Sequence, residues 1–309
     1  MNRQEILFIV NPHSANGLAG KRWLHIEALA SSMGLRFAVR HTERVGHATH
    51  LTREAVEAGV FKIACVGGDG TFNEVVNGLI SRDRLVNPQC CVGVVPFGTG
   101  CDFVRSMVLP RQAEEALKVV AGERTRLLDV GRLDFTDHQG NESTRYFVNI
   151  TSFGLGGEVD ARVNRTSRRL GGFISFLYAS LVSILLYSKK RIRLVVDDGQ
   201  FDREVVVWNV VVANGQFHGG GMWIAPSARL DDGLFDITIL GDFNLFEIFR
   251  HFPKLYSGRV TTLEKVTTLQ GRRVQAFSRE RVLLDVDGEQ PGELPARMQL
   301  VPRALPVLV

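Results

Sequence analysis

The sequence predicts a two-domain protein, in which a doubly wound, mainly parallel α/β domain precedes a mostly antiparallel β domain. Over about the first 125 residues, apolar strands alternate with amphipathic helices, an order typical of a parallel sheet with helices on both faces. From about residue 126 onward, predicted strands follow one another with few helices between them. A chain of 309 residues is also long for a single hydrophobic core.

The elements of the first domain follow from apolar runs and helical periodicity. Strands are predicted at 6–10, 36–41, 62–66 and 92–95, and helices at 21–32, 47–58, 72–80 and 112–121. Loops 11–17, 67–71 and 96–102 each follow one of these strands. Because the carboxyl ends of parallel strands share one edge of a sheet, the three loops are expected to converge on one ligand.

The second domain is predicted to be rich in strands. They are expected at 127–135, 146–153, 191–196, 205–213, 235–240 and 282–286, with helices at 170–187 and 245–255. Asp197-Asp198-Gly199 is a good hairpin turn between two of these strands. No linker separates the halves, so the change of pattern alone places the domains at 1–126 and 127–300. It is left open whether the tail, about 301–309, returns to the first domain.

Composition and charge narrow the class of protein. The chain is 45% hydrophobic and 23% charged, and its net charge of +4 with a pI near 9.0 is mild. Because the basic residues are scattered, nucleic acid is not an expected partner, whereas an anionic ligand or membrane face fits. The four cysteines (Cys65, Cys90, Cys91 and Cys101) have no metal-binding spacing and indicate reduced thiols in a cytoplasmic protein.

Segment 170–187 alone approaches the length of a transmembrane helix, and the apolar part of the N-terminus is too short for a signal peptide. Glycines and serines in the segment favour a buried or interfacial helix. Basic residues flank it, namely Arg165, Arg168, Arg169, Lys189, Lys190, Arg191 and Arg193. Its apolar face could therefore rest on anionic lipid headgroups, and a core helix with solvated ends is the alternative.

The stretch Gly67-Gly68-Asp69-Gly70-Thr71 joins a buried strand to a helix and carries the strongest chemical signal. Glycines let backbone N–H groups approach a phosphate closely, and a helix N-terminus adds partial positive charge. A carboxylate among such amides repels phosphate unless a divalent cation lies between them, so Asp69 implies Mg²⁺ as well as nucleotide. A polar turn with a capping aspartate is the alternative.

The other two strand-end loops are weak signals when taken alone. The run Asn11-Pro-His-Ser-Ala-Asn-Gly17 could be an ordinary Asn-Pro turn. In Pro96-Phe-Gly-Thr-Gly100 the hydroxyl of Thr99 could donate to a phosphate, while Asp102 could cap a helix or bind substrate. The chain contains no GxxxxGK[ST] motif, and Gly98-x-Gly100 lacks the rest of a dinucleotide fingerprint. The common nucleotide-binding folds are therefore not the right templates.

Together these motifs resemble the diacylglycerol kinase catalytic-domain family, in particular its bacterial lipid kinases, with sphingosine kinases and NAD kinases as more distant relatives. The resemblance rests on Asn11-Pro-x-Ser14, Gly67-Gly-Asp-Gly-Thr71, Asn73-Glu-x-Val-Asn77-Gly78, Pro96-x-Gly-Thr-Gly100, Gly154-x-Gly-Gly157, Asp232-Gly-x-Phe235 and Asp287-Gly-Glu289. The motifs cover nearly the whole chain in the order of the family. The resemblance implies a nucleotide-binding first domain, a β-sandwich second domain that takes the lipid, and catalysis in a cleft between them.

The resemblance also implies the ligands of each site. ATP is expected to contact Asn11, Pro12, His13, Ser14, Ala15, Thr42, Gly67, Gly68, Asp69, Gly70, Thr71, Phe72, Asn73 and Thr99. Asp69 would act on the phosphates through Mg²⁺, and Asp287 or Glu289 would take the proton of the substrate hydroxyl. A second, structural Mg²⁺ would be held by Asp232 and by the carbonyls of Arg229 and Leu234. The alternative for Asp232 is a hairpin turn, and for Asp287 and Glu289 a plain acidic turn.

One departure from the family bears on the substrate. Cys101 stands where the family usually has asparagine, and cysteine is a poor hydrogen-bond partner. Conversion of diacylglycerol to phosphatidate, in phospholipid synthesis, is the expected activity. A sphingoid base, a phosphatidylglycerol-like lipid or an isoprenoid alcohol remain open as substrates, and NAD kinase is the runner-up. A nucleotide-binding regulator without catalysis is the competing class. Peripheral contact with the inner membrane face is expected, and a homodimer is left open.

Overall fold

The computed structural model describes residues 5–98, 100–165 and 172–309, and for 163–165 and 172–177 it describes the backbone alone. The chain forms two compact units. The first comprises residues up to Val130 together with Pro302–Val309, and the second comprises Gly131–Val301. Within the described ranges, no helix is long and apolar enough to cross a membrane.

The first unit is built on a parallel sheet. The strands of this unit are Glu5–Val10 (β1), Arg36–His41 (β2), Lys62–Gly67 (β3), Ile80–Ser81 (β4), Arg84–Leu85 (β5) and Cys91–Pro96 (β6). Its helices are Ser14–Ser32 (α1), His47–Glu57 (α2), Asp69–Leu79 (α3), Asp102–Ser106 (α4) and Ala113–Ala121 (α5). β2, β1, β3 and β6 lie side by side in this order, all parallel. Near the end of the chain, Val307 pairs with Val92 of β6, also in parallel. The predicted mainly parallel α/β architecture is confirmed.

Both faces of this sheet are buried. Ile6, Phe8 and Val10 pack with residues of α1 and α5 in one hydrophobic cluster. The alternate residues Leu7 and Ile9 point to the opposite face and are buried as well. Strands that are apolar on every residue are typical of a parallel sheet covered by helices on both sides. This is why the short apolar runs of the sequence predicted these strands correctly.

The first strand-end loop differs from the prediction in its detail. α1 is assigned from Ser14, seven residues before the predicted start at 21, yet Ala15, Asn16 and Gly17 have φ values of 51°, 56° and 84°. Three successive left-handed residues cannot belong to a right-handed helix. The predicted turn is therefore present, as a left-handed turn that leads into the helix.

α2 and α3 pack against each other closely enough to require a glycine. A Cβ on Gly78 of α3 would lie 2.5 Å from the Cβ of Thr52 and 2.7 Å from the carbonyl oxygen of Thr49. Arg53 of α2 donates hydrogen bonds to the carbonyls of Asn77, Gly78 and Ile80, where α3 ends. One arginine thus satisfies carbonyls that have no partner inside the helix.

The second unit is a β-sandwich, to which its described residues add three α-helices. Its strands are Thr125–Asp137 (β7, which begins in the first unit), Glu142–Phe147 (β8), Ile150–Gly154 (β9), Lys190–Val196 (β10), Phe201–Val207 (β11), Asn209–Ala213 (β12), Phe217–His218 (β13), Met222–Trp223 (β14), Phe235–Leu240 (β15), Val266–Gly271 (β16), Arg273–Phe277 (β17), Leu284–Val286 (β18) and Gly292–Leu308 (β19, which ends in the first unit). The helices are Leu155–Arg165 (α6), Gly172–Leu186 (α7) and Leu245–Tyr256 (α8). One sheet has the order β16-β15-β12-β9-β18, and the other contains β11-β10-β17-β19 with β7 and β8.

The two sheets of the second unit share one hydrophobic core. Phe147 and Leu194 of one sheet belong to the same buried cluster as Phe153, Val210 and Phe235 of the other. The rings of Phe147 and Phe235 stack across the sandwich, with centroids 5.6 Å apart. The pairs within the five-stranded sheet are all antiparallel, which confirms the predicted antiparallel β-sandwich.

Two predicted strands are each two strands in the structure. The run 146–153 divides at Val148–Asn149, and the run 205–213 divides at Trp208. At both places the chain passes from one sheet of the sandwich to the other. A continuous apolar run does not reveal such a change, because both of its halves enter the same core.

Other elements of the second unit were not predicted. These are the two short strands β13 and β14, the strands β16, β17 and β19, and helix α6. β19 alternates buried and exposed residues as a strand should, but it contains Pro295, Pro302 and Pro306, which argue against a strand. The hairpin turn Asp197-Asp198-Gly199 is confirmed between β10 and β11. The predicted helix 170–187 is observed as α7, and its positions 170 and 171 lie outside the described residues.

Gly78→Ala should destabilise the first unit although alanine has the higher helix propensity. The new methyl group meets backbone and a branched side chain of α2, so we expect a loss of about 1–3 kcal/mol in the free energy of unfolding. Urea denaturation measures it. Glu57→Ala, at an exposed position of α2, is the control and should change stability by less than about 0.5 kcal/mol. Equal or greater stability of Gly78→Ala would contradict the packing described.

Candidate functional site

The three strand-end loops of the first unit meet as expected. The side-chain amide of Asn11 donates to the hydroxyl of Thr71 at 2.9 Å, which joins the first loop to the glycine turn. The N–H of Phe97 donates to the carbonyl of Gly67 at 2.7 Å, which joins the glycine turn to the third loop. A Cβ on Gly98 would lie 3.0 Å from Cα of Gly68, so this approach of two backbones leaves little room for a side chain.

Asp69 ties the glycine turn to the helix that follows the third loop. Its two carboxylate oxygens accept hydrogen bonds from the N–H groups of Phe103 and Asp102, each at 3.1 Å. Both donors lie in the first turn of α4, where N–H groups have no partner inside the helix. The carboxylate therefore caps α4, the role left open for it as the alternative.

Cys101 holds the backbone position just before α4. Its φ of 50° is left-handed, a conformation that asparagine tolerates better than most residues. The usual asparagine of the family is therefore explained by the backbone, and the cysteine keeps the same conformation. Its thiol donates to the carbonyl of Gly98 at 3.4 Å. Burial raises the pKa of the Cys101 thiol, and the charge of Asp69 adds to this, so the group is a thiol and not a thiolate.

The predicted ATP contacts fall into two groups by exposure. Phe72 and Asn73 are 2% and 0% exposed, and the ring of Phe72 stacks on Phe103. Thr42 and Thr71 are also buried. The half-buried or exposed predicted contacts are Asn11, Pro12, His13, Ser14, Ala15, Gly68, Asp69 and Gly70. Gly67 is buried at the end of β3, and Thr99 lies outside the described residues.

The motif after the glycine turn, Asn73-Glu-x-Val-Asn77-Gly78, stabilises helix α2. The carboxylate of Glu74 accepts hydrogen bonds from the N–H groups of Gly46 and Ala48, at 2.8 and 3.0 Å. The hydroxyl of Thr49 donates to the carbonyl of Glu74, and Asn77 donates to Asn73 within α3. Glu74 thus caps the N-terminus of α2 and holds it on α3.

Asp287, in the second unit, is held by backbone amides. Its carboxylate accepts hydrogen bonds from the N–H groups of Val148, Asn149 and Ile150, at 3.0, 3.2 and 2.8 Å. These residues lie where the chain passes between the sheets. Glu289, two residues further on, is less buried and pairs with Arg145. The turn that carries both carboxylates is closed by hydrogen bonds between Val286 and Glu289.

The two carboxylates predicted to bind Mg²⁺, Asp69 and Asp232, differ in how well their surroundings suit the ion. Among the described residues, no group of three or more His, Cys, Asp and Glu side chains could hold a metal ion. Mg²⁺ bound together with nucleotide phosphates needs only one or two carboxylates, so Asp69 fits this use. Asp232 accepts a hydrogen bond from the N–H of Leu234 at 3.1 Å, and Gly233 has a φ of 79°, which fits the hairpin-turn alternative.

An apolar cavity of about 160 Å³ lies in the second unit, lined by residues of α6, α7, α8, β12 and the β13–β14 hairpin. Trp208, Phe243 and Phe252 form part of its wall. The polar residues at its surface include Asp160, Asn209, His218 and His251. None of the four was predicted as a site residue. The three glycines after His218, Gly219, Gly220 and Gly221, all have positive φ and form the turn between β13 and β14.

The surroundings of Asp160 favour the neutral form of its carboxyl group. Burial raises its pKa well above the ordinary value, and the charge of Asp285 and a hydrogen bond to it act in the same direction. Asp285 is fully buried and accepts hydrogen bonds from the hydroxyl of Ser152 and the N–H of Gly288, at 2.9 and 3.0 Å. An aspartate inside the apolar run 282–286 was the one signal in the sequence for this cluster.

The fold and site define a class of protein: an α/β unit whose strand-end loops offer backbone N–H groups, joined to a β-sandwich with an apolar cavity. Residues 5–133 match the family model described as diacylglycerol kinase catalytic domain, and residues 149–309 match the model described as YegS C-terminal NAD kinase beta sandwich-like domain. The chain therefore belongs to the diacylglycerol kinase catalytic-domain family of lipid kinases, which the sequence motifs predicted.

Similar proteins cover nearly the whole chain. A Chromohalobacter salexigens protein named "Probable lipid kinase YegS-like" is 31% identical over 88% of this chain and 83% of its own length. A Bacillus subtilis protein named diacylglycerol kinase is 28% identical over 96% of this chain and 92% of its own length. A crystal structure of a Bacillus anthracis diacylglycerol kinase matches with a TM-score of 0.75, covering 99% of this chain and 96% of that one. Its identity is 22%, so this likeness concerns the fold.

Asp160→Asn should become progressively more stable than the wild type as pH rises. The unfolded chain releases the Asp160 proton near pH 4, whereas the folded protein keeps it, so wild-type stability falls as pH rises toward the raised folded pKa. The slope is up to about 1.4 kcal/mol per pH unit. An asparagine carries no such proton.

Urea denaturation of both proteins at several pH values between 4.5 and 7.5 measures this difference. Asp202→Asn is the control, because Arg193 lowers the pKa of the exposed Asp202, so its stabilising effect is present at higher pH and lost as pH falls. A stability difference between Asp160→Asn and wild type that stays flat over this range would contradict a neutral Asp160.

Proposed function

We propose that the protein is an ATP- and Mg²⁺-dependent lipid kinase, which transfers the γ-phosphate of ATP to the hydroxyl of a lipid alcohol. Diacylglycerol, with phosphatidate as product, is the first candidate, because relatives carry the name diacylglycerol kinase. The observation that carries the proposal is the junction of the glycine turn with the two other strand-end loops of the first unit. A sphingoid base, a phosphatidylglycerol-like lipid and an isoprenoid alcohol remain alternatives.

The first unit would bind the nucleotide mainly through its backbone. Gly68 and Gly70 lie half-buried at the N-terminus of α3, where free N–H groups and the helix dipole favour phosphate. The left-handed turn at Ala15–Gly17 lies beside it, since Ser14 approaches Thr71 to 3.5 Å. Asp69 would hold Mg²⁺, which neutralises phosphate charge when bound. The capping bonds from Asp102 and Phe103 would keep this carboxylate in a fixed orientation.

The proton of the lipid hydroxyl would pass to Glu289. Phosphoryl transfer to an alcohol needs a carboxylate positioned to accept this proton. Asp287 has its oxygens engaged by three backbone N–H groups, so its part would be to shape the turn that presents Glu289. Arg145 would orient the Glu289 side chain before the substrate arrives.

The cavity of the second unit would take part of the lipid chain. Its volume of about 160 Å³ is near that of engineered cavities that bind benzene, and below the range of about 300–1,000 Å³ typical of ligand pockets. It therefore suits a segment of one acyl or alkyl chain, while the rest of the lipid stays outside. Most of the residues that line it are apolar, which supports an apolar ligand.

The outer faces of α7 and α8 support contact with a membrane. Both helices line the cavity, and on other faces they expose large apolar side chains, which are Tyr178, Leu181, Leu185 and Leu186 on α7 and Leu245, Phe246 and Phe249 on α8. Arg250 and Lys254 of α8 add positive charge. An apolar surface with basic residues fits an anionic bilayer, and the cytoplasmic face of the inner membrane is where a lipid substrate would be met. Arg168 and Arg169, expected to contribute, lie outside the described residues.

The protein should transfer label from γ-labelled ATP into a lipid when it is incubated with Mg²⁺ and extracted total lipid. Glu289→Gln should lower the turnover number by about 100-fold or more with ATP affinity unchanged, since it removes the proton acceptor alone. Asp287→Asn should lower turnover and stability together, because an amide nitrogen would face a backbone N–H. Mass spectrometry of the labelled product identifies the lipid.

Asp69→Ala is the inactive control for this assay. Absence of labelled lipid with the wild type would overturn the kinase and favour a nucleotide-binding regulator. Loss of ATP binding in both Glu289→Gln and Asp287→Asn would refute their placement at the proton-transfer step.

Phe246→Ser combined with Phe249→Ser should reduce binding to vesicles. The two rings are 73% and 44% exposed, and their loss removes apolar area that would enter a bilayer. Flotation with vesicles that contain about one-third anionic lipid should show at least a fivefold loss of bound protein, because burial of one large side chain is worth about 1.5–3 kcal/mol. Leu24→Ser, at a 75% exposed position of α1, is the matched control and should bind like the wild type. Equal flotation of all three proteins would contradict the assigned surface.

A further inference from the structure

A polar cluster at the surface of the apolar cavity takes no part in the roles assigned above. Its centre is Asp285 of β18, and the Nε2 atom of His218 lies 3.3 Å from its Oδ2 atom. Ser152 donates to the same oxygen, and Gly288 donates to the other. Both Asp160 and His218 lie on the cavity wall. The cluster thus combines one buried anion with two residues that face an apolar space.

Two familiar uses of such residues do not fit. The described residues contain no group of His, Cys, Asp and Glu side chains that could hold a metal ion. In a serine nucleophile triad the histidine contacts the serine hydroxyl, whereas here Ser152 donates to Asp285 and the aspartate lies between serine and histidine. The cluster is therefore suited to binding and not to nucleophilic catalysis.

Each of the two neighbours of Asp285 on the cavity wall, His218 and Asp160, has one polar atom without a hydrogen-bond partner among the described residues. A carboxylate only accepts hydrogen bonds, so the Nε2 atom of His218 must carry a proton, and in the neutral ring Nδ1 is then an acceptor. Nδ1 has no hydrogen-bond partner within the described part of the chain. The Oδ2 atom of Asp160 is buried and also lacks a partner among the described residues. A buried acceptor without a donor, as this Asp160 oxygen is, is rare in native proteins and points to a ligand that donates. His218 lies on the wall of the same cavity.

The cluster is also joined to the turn that carries Glu289. Asp285 accepts the N–H of Gly288, which lies between Asp287 and Glu289. The charge of Glu289 contributes to the environment of Asp160, so these groups are neighbours within the second unit. The cluster that contains His218 is therefore linked to the turn of the proposed proton acceptor.

We propose that His218, fixed by Asp285, is a positioning residue: before nucleotide is bound, its Nδ1 atom accepts a hydrogen bond from the hydroxyl end of the lipid while the chain lies in the apolar cavity, and the hydroxyl turns its proton to Glu289 only for transfer. This rests on the proposed function and deepens it, since it names the chemical feature selected: a long-chain molecule whose polar end donates a hydrogen bond. Polar ends that only accept, such as ethers and esters, would leave Nδ1 without a donor. His218 therefore separates alcohols from ethers of the same chain.

Binding of two brominated probes without nucleotide tests this selection. The probes are a dibrominated medium-chain 1-alkanol and its methyl ether, and bromine quenches the fluorescence of Trp208 in the cavity wall. The wild type should bind the alcohol about tenfold more tightly than the ether, the effect expected of one buried hydrogen bond. Trp208→Phe should abolish most of the quenching, which places the probe in the cavity.

Variants of the two histidines in the cavity wall supply the comparison. His218→Phe should reduce the alcohol-to-ether ratio to below about two, and His218→Gln, which keeps an N–H for Asp285 and a carbonyl acceptor, should restore part of it. His251→Phe is the matched control, because His251 lines the same cavity but its ring neighbour is Phe243 and not a carboxylate. It should keep the wild-type ratio.

Three results would overturn the proposal. They are a ratio of alcohol to ether affinity near one in the wild type, an undiminished ratio in His218→Phe, and absence of quenching by both probes. Thermal unfolding of each variant checks that it folds. If His218→Phe does not fold, His218→Leu, which also lacks a polar side-chain atom, replaces it, and an undiminished ratio in that variant counts against His218. Because no ATP is present, failure here is distinct from failure of phosphoryl transfer. An active kinase without the preference refutes the role of His218 alone.

Discussion

Carboxylates that accept hydrogen bonds from backbone N–H groups, most of them buried, hold the loops of both units in place. Asp69 caps α4, Glu74 caps α2, Asp129 accepts the N–H of Arg303, and Asp287 accepts three N–H groups where the chain changes sheets. A buried N–H group without an acceptor costs about 1–3 kcal/mol, and a charged acceptor is the strongest available. The positions of the loops, and thus of both candidate sites, depend on these few side chains.

This constraint explains why the sequence motifs contain residues with no expected contact to a ligand. Glu74 belongs to the motif after the glycine turn, yet its carboxylate serves α2. The residue before Asp102 must adopt a left-handed φ so that α4 can begin beside Asp69, which suits asparagine and is met here by Cys101. In both cases the motif preserves the backbone that presents the site.

The sequence alone predicted the fold class, the parallel strands of the first unit and the convergence of its loops, because these follow from local apolar patterns and known loop chemistry. It did not predict the division of 146–153 and 205–213, since a chain that changes sheets within one core stays apolar throughout. β19 was missed because its three prolines outweighed its alternation. The cluster of Asp160, His218 and Asp285 was missed because its members are far apart in the sequence and meet only after folding.

The central claim is that the two units bind different ligands, with nucleotide on the strand-end loops of the first and the lipid chain in the cavity of the second. Amide hydrogen exchange, followed by mass spectrometry, tests both halves at peptide resolution. ATP with Mg²⁺ should slow exchange in peptides that cover 11–17, 67–73 and 96–103, and a long-chain alcohol should slow it in peptides that cover 155–160 and 245–256. Protection by ATP in the cavity peptides without any in the first-unit loops would contradict the account.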